Sequence, residues 1–216
     1  MSGYKIIYKG GCGEIEEKKS RFIATIYPVT SEEEALTYLA DTKKQYWDAR
    51  HNCYAFTIGE KNDLMRCSDD GEPAGTAGRP MLEVLTASEI HNCLAIVTRY
   101  FGGVLLGTGG LVRAYQGAVK AGLENCVITE RIHGRRLTIT CDYSDIGKIQ
   151  YITGKEGLIP QDTIYAQDVK TELIVSDNQM DYLCKAITEG TSGRAILTKG
   201  SEADFAVVDR KTILFD

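Results

Sequence analysis

Short apolar runs separated by glycine-bearing and polar turns dominate the first 125 residues. Runs of strand-forming residues bounded by turn residues predict β-strands, whereas apolar positions that recur every three or four residues predict helices. Thr30 or Ser31 followed by Glu33 and Glu34 predicts a helix cap and an acidic first turn, and Pro80 is typical of another helix start. The predicted strands are residues 5–8, 21–27, 53–59, 64–67 and 93–97, and the predicted helices are residues 31–48, residues 80–88 and a third that carries Val112, Tyr115, Val119 and Leu123.

The pattern becomes more regular after residue 136. Residues 129–136 carry three arginines and His133 and predict a polar linker. The strands that follow are predicted at residues 137–141, 159–166, 169–175 and 203–208, and the helices at residues 144–154 and 177–189. This β-α-β-β-α-β order is that of the ferredoxin-like split unit. We therefore predict an α+β protein with an N-terminal α/β domain, residues 1–132, and a C-terminal ferredoxin-like domain, residues 137–216.

Charge is divided unevenly between these two predicted domains. The net charge of the 216-residue chain is −5. Residues 1–136 contain 17 basic and 17 acidic residues, whereas residues 137–216 contain 8 basic and 13 acidic residues, which accounts for the whole excess. Proteins that grip nucleic acid through bulk charge carry a basic excess, so nucleic-acid binding here requires a local basic patch on the N-terminal domain. The acidic second domain is better suited to a protein partner.

The expected location of the protein and the expected absence of cofactors both rest on features that the sequence does not contain. No apolar run approaches the ~20 residues that a membrane-spanning helix needs. The first residues lack the apolar core of a signal peptide, and the seven cysteines include no C-x-x-C pair. We expect a cytoplasmic protein with reduced cysteines, no membrane association, no metal and no cofactor.

The stretch from Arg99 to Arg113 places five glycines between a predicted strand and a predicted helix. This arrangement directs backbone N–H groups and a helix N-terminus at an anion, and the two arginines add positive charge. The glycine spacing matches neither a Walker loop nor a dinucleotide fingerprint, which disfavours ATP, GTP and NAD. A packing role stays open, because glycine also permits positive φ and close approach of helix and strand. The candidate anion- or nucleic-acid-binding residues are Arg79, Arg99, Tyr100, Gly102, Gly103, Gly107, Thr108, Gly109, Gly110 and Arg113, with Phe101 as a second candidate for stacking on a base.

A second glycine-bearing segment, residues 68–80, carries the acidic residues Asp69, Asp70 and Glu72. Three carboxylates within four residues are potential ligands for a hard cation, and His51 is a potential base beside them. The same residues favour a turn, in which aspartate bonds its own backbone and Gly71 takes positive φ. We prefer the turn, and keep His51 with the three acids as the catalytic alternative.

Both segments resemble the signature of the IMPACT family. The matching stretches are residues 69–78, residues 99–103 and residues 107–115, and the segments Lys19–Phe22 and His51–Ala55 also fit the family pattern. The two-domain layout is similar to that of the bacterial, YigZ-like branch. The resemblance implies an N-terminal domain of the type shared by a small-subunit ribosomal protein and domain IV of elongation factor G, and a C-terminal domain similar to domain V of that factor.

The resemblance also implies a role in translation. Eukaryotic relatives interfere with activation of the amino-acid-starvation kinase and carry an N-terminal protein-binding domain. We expect this chain to lack that domain, so the resemblance does not extend to that partner. We therefore expect a translation-associated regulator that binds RNA or the ribosome through the glycine loop and helix N-terminus. The alternatives are a small-molecule or peptide hydrolase that uses His51, Asp69, Asp70 and Glu72, and a module that binds a protein partner through the acidic C-terminal domain. Enzymatic activity is the less favoured hypothesis.

Overall fold

The computed structural model describes residues 3–215 and confirms the α+β class with two compact units. The division falls between Thr129 and Glu130, a few residues before the predicted end of the N-terminal domain at residue 132. The first unit contains strands β1 (Tyr4–Lys9), β2 (Gly11–Glu17), β3 (Ser20–Pro28), β4 (His51–Ile58), β5 (Leu64–Ser68), β6 (Ile90–His91) and β7 (Cys93–Tyr100) and helices α1 (Glu32–Gln45), α2 (Gly78–Ala87) and α3 (Thr108–Glu124). Strand β8 (Val127–Cys141) runs through the division and is followed by α4 (Ile146–Lys155), β9 (Asp162–Tyr165), β10 (Val169–Ser176), α5 (Asp177–Gly190), β11 (Ile196–Val208) and β12 (Lys211–Phe215).

The N-terminal unit is built on a five-stranded antiparallel sheet in the order β2-β3-β7-β4-β5. Its central strand, β7, is buried at seven of eight positions because the sheet is covered on both faces. Ala95 and Val97 face the core formed with α2 and α3, and Leu94 and Ile96 face the smaller core formed with α1. Burial on both faces explains the continuous apolar run that predicted this strand.

Helix α3 lies close against the sheet. A Cβ atom at Gly13 on β2 would lie 2.4 Å from the backbone of Ala121, and a Cβ atom at Gly122 would lie 2.9 Å from the side chain of Ile26. The absence of side chains at these two positions therefore allows the helix and sheet to touch. This contact holds the last turns of α3 against β2 and β3.

The C-terminal unit has the predicted ferredoxin-like arrangement. Its sheet has the order β9-β10-β8-β11-β12, and the first four strands pair antiparallel in the order that the split unit requires. Helices α4 and α5 cover one face, with a core that includes Leu137, Ile139, Leu173, Leu183 and Ile187. Strand β12 is an addition that the sequence pattern did not predict.

The linker predicted at residues 129–136 is wrong, because these residues form the middle of β8. Arg131, His133 and Arg135 occupy alternate positions of the strand and pair with acids of β11. Arg131 and His133 contact Asp204 at 2.8 Å, and Arg135 contacts Glu202 at 2.7 Å. These cross-strand ion pairs neutralise the charges that suggested a solvated linker.

The longest helix, α3, has 17 residues. Within residues 3–215, no helix is long and apolar enough to cross a membrane.

Candidate functional site

The glycine loop occupies residues 101–107, because β7 continues through Tyr100 and α3 begins at Thr108. Gly103 and Gly107 have φ angles of 86° and 73°, in the left-handed region that favours glycine. A Cβ atom at Gly102 would lie 2.0 Å from the backbone of Lys19. Conformation and packing therefore account for these three glycines. Gly109 lies in the first turn of α3, and a Cβ atom there would meet nothing within 4 Å.

The N-terminus of α3 is open. Gly107 is the N-cap and offers no side chain to accept a hydrogen bond, and the first intrahelical bond runs from the Leu111 N–H to the Gly107 carbonyl at 2.9 Å. Thr108 and Gly109 are exposed. The N–H groups of the first helical turn have no intrahelical acceptor and lie at the positive end of the helix dipole, so this end suits an anion.

A basic hairpin turn lies beside the glycine loop. Lys18 and Lys19 connect β2 to β3 with φ angles of 47° and 65°, both uncommon for residues other than glycine. The Gly102 N–H donates to Ser20 Oγ at 3.1 Å and joins the loop to this turn. The two lysines are exposed and lie beside the predicted anion site, although they were not among the predicted residues. The signal missed was the short charged strand β2, whose pairing with β3 creates the hairpin.

Lys18 and Arg113 line a common cleft of about 210 Å³. Its other lining residues are Ile15, Glu17, Leu106, Gly110 and Ala114. Two cations and one carboxylate thus surround the first turn of α3. We refer to Lys18, Lys19, Arg113 and residues 101–110 as the loop surface.

The structure corrects the predicted role of Arg99, because its side chain is only 7% exposed. Its Nη1 donates to Glu72 Oε1 at 2.6 Å, and its guanidinium lies 5.3 Å from the Phe22 ring centre and 5.6 Å from that of Phe101. A buried, paired guanidinium cannot also face a phosphate at the surface. Arg99 is therefore not part of the loop surface.

Two further predicted residues, Arg79 and Tyr100, lie outside the loop surface, whereas Phe101 belongs to it. Arg79 is on α2 and pairs with Glu83 at 3.5 Å. The hydroxyl group of half-buried Tyr100 donates to Asp48 at 2.7 Å, and this bond raises the pKa of the tyrosine. Phe101 is 52% exposed, which makes it the better stacking residue of the two.

The acidic turn, residues 69–78, is bonded internally. Asp69 accepts hydrogen bonds from the N–H groups of Gly75, Ala77 and Gly78 at 2.8–3.0 Å. Burial opposes ionisation of Asp69, but these three donors outweigh it and lower its pKa. Asp70 pairs with Lys43 at 2.8 Å and accepts from the Asn52 N–H at 2.7 Å. Both carboxylates therefore hold the turn in place.

Glu72 is the buried centre of this region. Its Oε1 accepts from Arg99 and, at 2.8 Å, from the Tyr115 hydroxyl of α3. The Cys53 sulfur lies 3.0 Å from the Asp69 carbonyl oxygen and 3.3 Å from the Tyr115 hydroxyl oxygen, and burial raises the pKa of the thiol to about 12. A thiol with such a pKa is not a nucleophile at neutral pH.

His51 completes the predicted catalytic alternative, and its Nδ1 lies 2.9 Å from the Asp70 carbonyl oxygen. The carboxylates of the three acids, Asp69, Asp70 and Glu72, are thus bonded to different structural partners. His51 contacts the backbone of Asp70 and not a carboxylate. Among residues 3–215, no group of three or more histidine, cysteine, aspartate or glutamate side chains could hold a metal ion. The geometry is that of a turn held by its own carboxylates.

Comparisons with known proteins cover both units. The Impact N-terminal domain matches residues 18–123, and a domain of unknown function, DUF1949, matches residues 139–194. The IMPACT family member YvyE of Bacillus subtilis is 38% identical over 93% of this chain and 92% of the relative, and a family member of Haemophilus influenzae is 36% identical over 91% and 97%. A crystal structure described as that of a hypothetical protein has a TM-score of 0.59 and 31% identity, covering 91% of this chain and 97% of that one. Since these relatives match over nearly their whole length, this chain belongs to the IMPACT family.

Proposed function

We propose that the chain binds RNA in the translation apparatus, with the phosphate backbone held at the loop surface. The observation that carries this proposal is the cleft that brings Lys18 and Arg113 to the open N-terminus of α3. Cations and free backbone N–H groups are the groups that proteins use most to contact phosphate. The family resemblance implies a role in translation, so ribosomal RNA is the first RNA to test.

Local charge supports this proposal where bulk charge does not. Lys18, Lys19 and Arg113 are exposed, and within residues 3–215 no carboxylate oxygen lies within 4 Å of their charged nitrogens. Glu17 is the one acid in the cleft lining. The acidic excess of residues 137–216 lies in the other unit. A protein partner for that unit stays a prediction from charge alone.

The test is a salt series of binding to labelled ribosomal RNA fragments by fluorescence anisotropy. For single strands, the slope of log affinity against log salt falls by about 0.7 for each phosphate contact removed. We expect Lys18→Ala plus Arg113→Ala to reduce the slope by about 1.4. The matched control is Lys61→Ala plus Lys170→Ala, which removes two exposed cations elsewhere and leaves the slope unchanged.

Equal slopes for the two double variants would place the phosphate contacts elsewhere. Failure of the unaltered protein to bind at low salt would overturn the proposal. The same series with intact ribosomes, read by sedimentation, tests whether the particle is the physiological form of the RNA.

A further inference from the structure

The loop surface carries apolar side chains that the fold does not bury. Leu105 is 83% exposed, Phe101 52% and Val104 45%, while the neighbouring Leu106 turns inward and packs on the core of the N-terminal unit. A single exposed apolar residue is ordinary, but three within five positions concentrate exposed apolar surface in one short segment, which we call the apolar patch. Val104 and Leu105 belong to none of the hydrophobic core clusters of residues 3–215, so packing of the core does not account for them.

The surroundings of this patch specify what can cover it. Lys18 and Lys19 lie on one side of the loop and Arg113 lies in the cleft at the start of α3. No heavy atom lies within 4 Å of where a Cβ atom would be at Gly103 or Gly107, so a flat group can approach the backbone. A ligand that covers both the apolar patch and the cations therefore presents planar apolar groups and anionic groups. An RNA strand with unstacked bases has both.

Duplex RNA satisfies only half of these requirements. Its phosphates can reach the cations, but its bases are stacked and paired, which leaves Val104 and Leu105 in water. Loops and single strands are the usual targets of sequence-reading RNA proteins because their bases can lie on side chains. Apolar wedges such as leucine and phenylalanine also insert between nucleic-acid bases. An anionic membrane offers apolar and anionic groups too, but Lys18, Gly110 and Arg113 line a concave cleft that a flat bilayer fills poorly.

We propose that Phe101, Val104 and Leu105 contact unpaired bases, so that the chain prefers single-stranded or looped RNA to duplex RNA. This inference rests on the proposed function, because the phosphates are held by the neighbouring cations. The two sets of residues have separate effects. The cations determine the salt dependence, and the apolar patch determines the preference for unpaired bases.

The experiment compares a single-stranded RNA with a duplex of the same length and sequence at one salt concentration. We expect the single strand to bind about tenfold more tightly, within the range for one stacked base. Val104→Ser plus Leu105→Ser removes that preference by weakening single-strand binding about tenfold, with duplex affinity and salt slope unchanged. Met65→Ser, at a 47% exposed methionine of β5, is the matched control and changes neither affinity.

A spectroscopic readout tests base contact directly. Trp47 is the one tryptophan of the chain, so Trp47→Phe with Phe101→Trp places a single reporter on the loop. Stacking on a base quenches its fluorescence when single-stranded RNA is added, and the duplex leaves it unchanged. The quenching disappears when Leu105→Ser is added only if the two side chains hold the same base.

The outcomes separate this inference from the proposed function. Equal binding of both RNAs, unaffected at Val104 and Leu105, overturns the inference while the phosphate contacts stand. No binding of either RNA overturns both. Binding to phosphatidylserine vesicles that depends on Leu105, without RNA binding, replaces the RNA proposal with a membrane one.

Discussion

The N-terminal unit contains two helix N-termini that follow glycine-bearing segments, and only one of them is filled. At α2, the carboxylate of Asp69 accepts hydrogen bonds from the N–H groups of Ala77 and Gly78. At α3, Gly107 has no side chain, and the first turn is exposed. The acidic turn therefore supplies its own anion, whereas the first turn of α3 is the position that the proposed function assigns to a phosphate.

The side chains of the acidic turn and of the glycine loop also differ in their partners. Asp70 pairs with Lys43 of α1, and Glu72 pairs with Arg99 of β7. Two ion pairs therefore hold the acidic turn in place. The glycine loop instead exposes Val104 and Leu105 and has cations beside it. The two segments thus differ in whether their polar groups have partners within the protein.

The largest effect should come from breaking the buried partner set of the acidic turn. Glu72→Ala leaves the Arg99 guanidinium and the Tyr115 hydroxyl buried without their acceptor, and loss of one member of a buried ion pair typically costs about 3–5 kcal/mol. Hydrogen exchange of the β7 amides, which lie wholly in the N-terminal unit, measures this loss. Glu16→Ala, at an exposed glutamate of β2, should change the free energy by less than about 0.5 kcal/mol. A similarly small effect at Glu72 would show that the buried ion pair does not stabilise the N-terminal unit.

A smaller effect, with a pH signature, is expected at Asp69. Asp69→Asn removes the charge from a group that accepts three backbone N–H bonds, at a cost of about 1–3 kcal/mol at neutral pH. Because the folded pKa of Asp69 lies below its ordinary value of 3.8, the stabilisation is complete above that value and is lost as the pH falls through the folded pKa. The difference between the two proteins should therefore be constant from pH 7 to about pH 5 and shrink below pH 3.8.

Urea unfolding at each pH measures this difference, with Asp142→Asn, at an exposed carboxylate of the other unit, as the control. A gap between the unaltered protein and Asp69→Asn that does not narrow as the pH falls below 3.8 would show that the side chain acts through its shape rather than its charge.

Local sequence signals predicted most elements of both units. The apolar run of β7, the Ser31 cap of α1 and the strand-helix order of the C-terminal unit were all confirmed, because each depends on residues close together in the chain. The turn interpretation of Asp69 has the same basis, since its acceptor bonds reach residues at most nine positions away.

The partners of Arg99 and the position of Lys18 could not be predicted in the same way. Glu72 and Arg99 are 27 residues apart, and only the packing of the acidic turn on β7 brings them together. Lys18 reaches the glycine loop because β3 pairs with β7 in a register that sets Arg21 opposite Tyr100. The less exposed positions of β2 are Gly11, Gly13 and Ile15, so only one of them carries an apolar side chain. Neither the hairpin nor its place beside the loop therefore follows from the pattern.

The smallest expected effects come from two glycines of the open site, and they have opposite signs. Gly107→Ala puts a Cβ atom on a residue with a φ of 73°, which costs about 1–2 kcal/mol. Gly109→Ala adds a methyl group in open space within the first helical turn and should stabilise the protein by up to about 1 kcal/mol. Urea unfolding gives both values, and RNA affinity is measured on the same proteins.

The Gly109→Ala variant gives the clearest test of how the N-terminus of α3 differs from that of α2. At α2, Gly78 is required by packing, because a Cβ atom there would lie 2.7 Å from the backbone of Ser68. If Gly109→Ala stabilises the fold and yet weakens RNA binding, the missing Cβ at α3 serves the approach of a ligand to the backbone N–H groups. If it stabilises the fold and leaves RNA affinity unchanged, the first turn of α3 does not touch the RNA, and the phosphate contacts belong to Lys18 and Arg113 alone.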